Sequence, residues 1–130
     1  MTNLEVVQRA YEAFGRGDVE AVVAALDQQI EWIEGDVDGL PYAGTHHGVE
    51  AVVNNVFAQM PTTYDEFALA PQQWVDGGGT IVMLGEITLR KDGREATQRV
   101  AQVWTMRDGR AVRFESFSDT LQTARMLGLD

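Results

Sequence analysis

The side chains suited to covalent or metal chemistry are few. The chain has no cysteine, and its two histidines, His46 and His47, are neighbours. Without cysteine there is no disulfide, no thiolate zinc site and no thiol nucleophile. Two adjacent imidazoles point in different directions and would need a third ligand to hold a metal. Acid and base work therefore falls to carboxylates, amides and hydroxyls. The carboxylates cluster, with Glu31, Glu34, Asp36 and Asp38 inside eight residues. Their order is not the D-x-D-x-D-G of a calcium loop, so neither a metal nor a cofactor is expected. The stretch QIEWIE, residues 29–34, alternates as a strand and puts Ile30, Trp32 and Glu34 on one side, Glu31 and Ile33 on the other. A carboxylate on an apolar face is pushed toward neutral pKa, where it can take and return a proton.

The elements that position these residues can be read from periodicity. Val7, Ala10, Tyr11 and Phe14 have helical spacing after a Thr2/Glu5 capping box, and Gly15 and Gly17 stop that helix. Asp18 caps a second helix with Val19, Val22, Val23 and Leu26 on its apolar face. Residues 35–48 read as a loop. A third helix from Val49 carries Val52, Val53, Val56, Phe57 and Met60, with Pro61 closing it. From residue 66 onward, β-branched and aromatic runs are broken at Asp76-Gly77-Gly78-Gly79, Asp92-Gly93 and Asp108-Gly109, which predicts four antiparallel strands near 66–75, 80–90, 95–107 and 110–118. Asp119 then caps a short helix bearing Leu121, Ala124 and Leu127. The reading is a single α+β domain spanning residues 1–130, with a curved antiparallel sheet wrapped over three N-terminal-half helices and a cone-shaped, apolar interior.

Charge narrows the partners. The 130 residues carry 10 Lys and Arg against 20 Asp and Glu, a formal net charge of -10. Residues 1–65 hold eleven acids and two bases, and residues 66–130 nine acids and eight bases, so the excess sits beside the acidic cluster. Such a surface repels phosphate backbones and anionic lipid, which argues against nucleic acid and membrane as partners. A cytoplasmic location is expected, since no apolar run approaches ~18 residues and no leader pattern opens the chain.

Four segments carry a family resemblance: VQRAYEAFGRGDVEAVVAAL at 7–26, IEW at 30–32, PYAGTHHGVEAV at 41–52 and VAQVWTMRDGRAVRFESFSDT at 100–120. Together they resemble the SnoaL-like, ketosteroid isomerase-like branch of the NTF2-like superfamily, with its cystatin-like α+β barrel. The resemblance implies where that branch keeps its chemistry. The catalytic Asp of the isomerases corresponds to Trp32, and their oxyanion-hole Asp to Gln102, whose amide can still donate. The last-strand Asp of the polyketide cyclases corresponds to Ser116. The Tyr and Asn of the epoxide hydrolase correspond to Trp32 and Glu34. The first-helix Tyr of the isomerases falls near Ala10, and Tyr11 would point about 100° away.

Parity and resemblance together make Glu34 the candidate catalytic residue. Trp32, Tyr42, His46, Gln102, Trp104, Phe114 and Ser116 are the candidate substrate-binding residues, and Glu86 is left on either face. Arg99, Val103, Arg113, Glu115 and Phe117 form the opposite sheet face, where the resemblance implies pairing with a second copy as a homodimer. The expected partner is a small hydrophobic molecule, polycyclic or carbonyl-bearing. The activity is either cofactor-independent isomerisation, cyclisation or hydration, or none: the alternatives are a non-catalytic ligand-binding protein and a dimeric scaffold whose cone is filled by its own side chains.

Overall fold

The computed structural model describes residues 1–130. Helix α1 (Asn3–Gly15) starts on the expected capping box: Thr2 Oγ1 accepts from Glu5 N at 3.1 Å, and Glu5 Oε1 accepts from Thr2 N at 3.0 Å. It buries Val6, Val7, Ala10 and Ala13. Helix α2 (Val19–Val23), capped by Asp18, is shorter than its apolar spacing suggested. Leu26 belongs instead to strand β1 (Leu26–Ile33), where it is fully buried opposite Ala111. The ladder hydrogen bonds available there outweigh one more helical turn.

Residues 35–48 hold a short strand, β2 (Thr45–His47), hydrogen-bonded to β1 with His46 opposite Trp32. The third helix is also broken. Helix α3 (Val49–Asn55) gives way at Val56 to a 3-10 turn (Phe57–Gln59) and a single turn, α4 (Met60–Thr63). Pro61 opens that last turn rather than ending the helix, since the first turn needs no amide hydrogen from it.

Strands β3 (Glu66–Asp76), β4 (Thr80–Lys91), β5 (Arg94–Arg107) and β6 (Arg110–Phe117) follow as a meander, and α5 (Thr120–Leu127) closes the described chain. Two of the hairpins turn in two residues, Asp92-Gly93 and Asp108-Gly109, all four with positive φ between 51° and 79°. The six strands form one open sheet in the order β2-β1-β6-β5-β4-β3. Every ladder is antiparallel except that of β1 beside β6, so the first long strand is clamped to the last.

Curvature comes from irregular pairing. Register shifts leave one residue unpaired in β3, Gln72, and one in β6, Val112, opposite Thr105–Met106 of β5. At the first of these the strands approach so closely that a Cβ on Gly85 would lie 2.3 Å from the Ala70 carbonyl oxygen, which only glycine permits. The sheet bends around α1 and the α3–α4 segment. Its inner face alternates along β4 and β5, with Ile81, Met83, Ile87 and Leu89 inward on β4 and Gln98, Val100, Gln102 and Trp104 inward on β5. Glu86 takes the outer face, where it accepts from Gln72 Nε2 at 2.6 Å.

Helix α5 lies at the open end of the cone. Asp119 caps it, accepting from Gln122 N at 2.9 Å, and the buried Gln98 anchors it from β5: its Nε2 donates to Thr123 Oγ1, and its Oε1 accepts from Asp119 N at 3.0 Å. No helix is long and apolar enough to cross a membrane.

Candidate functional site

The concave side of the sheet and the helices enclose a cavity with about 60 Å³ of space that water-sized molecules can occupy. Trp32 comes from β1, Gln102 and Trp104 from β5, and Phe114 and Ser116 from β6; all five face inward and are buried. Tyr42 enters from the β1–β2 connection and is also buried. The inner end is aromatic and dense. Trp32 stacks on Phe114 with ring centroids 3.8 Å apart, and Trp104 meets both rings edge-on.

Glu34 follows β1 directly and continues its register, its amide donating to the Gly44 carbonyl at 2.9 Å. That keeps its side chain on the face of Trp32. The indole Nε1 of Trp32 donates to Glu34 Oε2 at 2.8 Å. Burial removes the half-buried carboxyl from much of its water, which pushes its pKa up to about 7, against the opposing pull of the Trp32 hydrogen bond. No fully buried side-chain oxygen or nitrogen lacks a partner, and Oε1 of Glu34 has none. Oε1 therefore keeps accessible surface, and Glu34 is among the residues that line the cavity. Glu34 is the one charged residue among the 25 that line it.

Two hydrogen-bonded groups flank this carboxyl. On one wall, Trp104 Nε1 donates to Tyr11 Oη at 2.9 Å, Tyr11 donates to Gln102 Oε1 at 2.5 Å, and Gln102 Nε2 donates to Ser116 Oγ at 3.2 Å. The Ser116 proton is left uncommitted. On the other, the phenols of Tyr42 and Tyr64 share a 2.5 Å hydrogen bond, so that one of the two O–H groups remains free. Burial raises the pKa of all three tyrosines, Tyr64 up to about 12, and the negative charge of Glu34 adds to each shift. They stay protonated donors throughout the physiological range.

Several expectations need correction. His46 lies beside Trp32 at the sheet edge, but its Nε2 is engaged with the Tyr42 carbonyl at 3.0 Å and it does not line the cavity. The pairing of β2 with β1 draws it away from the mouth. The Trp32 N–H is spent on Glu34, so it is not a free donor to a ligand. Tyr11 does reach the interior, because the sheet curls around α1 far enough for both Ala10 and Tyr11 to meet the cavity. Tyr64, just ahead of β3, carried no signal in the sequence. No three His, Asp or Glu side chains converge to hold a metal ion.

Known proteins share this architecture. The model of the SnoaL-like domain family matches residues 7–114. Among solved structures, an NTF2-like protein of unknown function from Burkholderia pseudomallei superposes with a TM-score of 0.91 at 35% identity, covering 96% of each chain. An NTF2-like protein from Burkholderia thailandensis gives 0.88 at 33% identity, again over 96% of both. TerC, co-crystallised with polyporic acid, gives 0.90 at 26% identity over 97% of this chain and 98% of its own. No functionally curated protein matches the chain in sequence.

Proposed function

The chain belongs to the SnoaL-like domain family, and from that premise we propose that its cavity binds a small, largely apolar molecule and moves a proton on it without a cofactor. The observation that carries this reading is Glu34, a carboxyl with a pKa near 7 whose Oε1 is unpartnered in an aromatic cavity. A base poised at working pH can both take and return a proton. Isomerisation, cyclisation or hydration next to a carbonyl needs that, together with donors for the charge that develops on oxygen. The Ser116 hydroxyl and the second amide hydrogen of Gln102 are the available donors. That TerC was crystallised with polyporic acid supports a small-molecule role for the cavity. The test is a screen of polycyclic ketones and epoxides followed by Glu34→Gln: turnover should fall by about 10²-fold or more. Unchanged turnover removes Glu34 from the mechanism.

One observation favours a second reading, a scaffold with a self-filled cone. Trp32, Trp104 and Phe114 pack against one another, and the cavity as it stands has about 60 Å³ of space, room for a few waters but not for a polycyclic ring system. Saturable shifts of the Trp32 and Trp104 indole N–H signals on adding a ligand separate the two; an inert spectrum across the screen supports the scaffold. For the outer face the reading is a homodimer, supported by the exposed Phe117 and Val75, and sedimentation at micromolar concentration tests it.

A further inference from the structure

The cavity holds a negative charge with no matching positive one. Its lining has eight aromatic rings and a single ionisable carboxyl, and no lysine, arginine or histidine. Glu34 receives one hydrogen bond, from Trp32 at Oε2, and its Oε1 is open. The groups that face it from the surrounding elements are the phenols of Tyr11 on α1, Tyr42 on the β1–β2 connection and Tyr64 ahead of β3, all neutral at working pH. Helix α5 contributes only Thr120 and Thr123 to the lining. The nearest further charges along the chain are also acidic: Asp36, which is exposed, and Glu31, which lies on the other strand face and is already paired with Arg113.

A desolvated carboxylate without a counter-charge has two ways to lower its energy: it takes up a proton, or it pairs with a cation brought from outside. Aromatic walls favour the second route for an organic cation, because ring faces attract ammonium groups and remain apolar enough to hold its hydrocarbon part. The overall charge of -10 works the same way, concentrating cations and repelling anions.

We propose that the ligand of this cavity carries a basic nitrogen, an ammonium or protonated amine attached to an apolar body, and that this nitrogen binds Glu34 Oε1 while its body lies against the aromatic lining on the side of the mouth. The inference rests on the cavity being a ligand site and adds the chemical class of that ligand. It does not require catalysis.

Benzylammonium, benzyl alcohol and benzoate have nearly the same shape and differ in charge, so they isolate the contribution of Glu34. Their affinities are measured by chemical-shift titration of the indole N–H signals at pH 8 and pH 5.5. At pH 8 the ammonium should bind about tenfold or more tighter than the alcohol, with benzoate weakest. At pH 5.5 Glu34 is protonated, and the advantage of the cation should collapse. Glu34→Gln, which keeps an acceptor for the Trp32 N–H, should lose the preference at both pH values. Equal or tighter binding of the alcohol by the wild type at pH 8, or a cation preference that survives in Glu34→Gln, overturns the proposal while leaving a ligand site intact. If none of the three probes binds, the ligand-site reading fails along with it.

Discussion

The indole of Trp32 and the carboxyl of Glu34, two residues apart on one strand face, are joined by a 2.8 Å hydrogen bond. The bond stabilises the charged carboxylate and so opposes the effect of burial. Replacing Trp32 with Phe keeps an aromatic ring in the stack and removes the donor. The Glu34 midpoint, followed by 13C NMR of its carboxyl carbon, should then move further up, by about one unit. A midpoint that stays put or falls would show that the indole does not hold the carboxylate.

The same carboxyl makes stability depend on pH. Its folded-state pKa, near 7, lies above its ordinary 4.5, so the folded chain binds more protons than the unfolded one between those values. Stability is therefore fully present below about pH 4.5 and declines as pH rises through 7, by up to about 3 kcal/mol. Glu34→Gln has no proton to lose there. Urea unfolding should find the variant more stable than wild type at pH 8 and similar to it at pH 4; matched curves at both pH values would refute the assignment.

The Tyr42–Tyr64 bond joins two buried phenols. Changing either one to Phe leaves the other hydroxyl without its partner and should cost about 1–3 kcal/mol, whereas the double variant should cost less than the sum. Thermal unfolding of the four proteins gives the coupling directly. Strict additivity would mean the two hydroxyls do not depend on each other.

The Asp119 carboxylate serves as a cap, bonded to Gln122 N, and has no bond to a cavity-lining side chain; only its backbone meets Gln98 and Thr123. Asp119→Ala should destabilise by about 1 kcal/mol, and Asp119→Asn should restore most of that. A collapse of binding or turnover in Asp119→Asn, with stability retained, would instead give this carboxylate a chemical role.

Strand parity carried most of what the sequence disclosed about the site. Period-two alternation in β5 and β6 is enough to send Gln102, Trp104, Phe114 and Ser116 to one face, and the same rule applied to QIEWIE brings Trp32 and Glu34 together. What escaped depends on contacts between distant segments. The inward position of Tyr11 follows from how far the sheet curls around α1, which no local pattern encodes. The three residues of β2 become a strand only because β1 offers an edge, and that pairing decides the fate of His46. The third helix breaks at Val56, whose φ of -116° and ψ of -69° leave the α-helical values, although the apolar spacing runs on through Met60. Tyr64 was invisible for a related reason: its partner lies 22 residues away in a connection of irregular backbone.

The parallel pairing of β1 with β6 also sets the order of events during folding. Trp32 finds Phe114 only across that ladder, more than eighty residues along the chain, so the aromatic end of the cavity is among the last parts to form. A nascent chain that has emerged only as far as β5 lacks the Phe114 ring on which Trp32 and Trp104 pack and has an unpaired strand edge on each side of the gap. Until β6 fills it, the intermediate is prone to stick to other chains, and the step that ends that hazard is the one that creates the site.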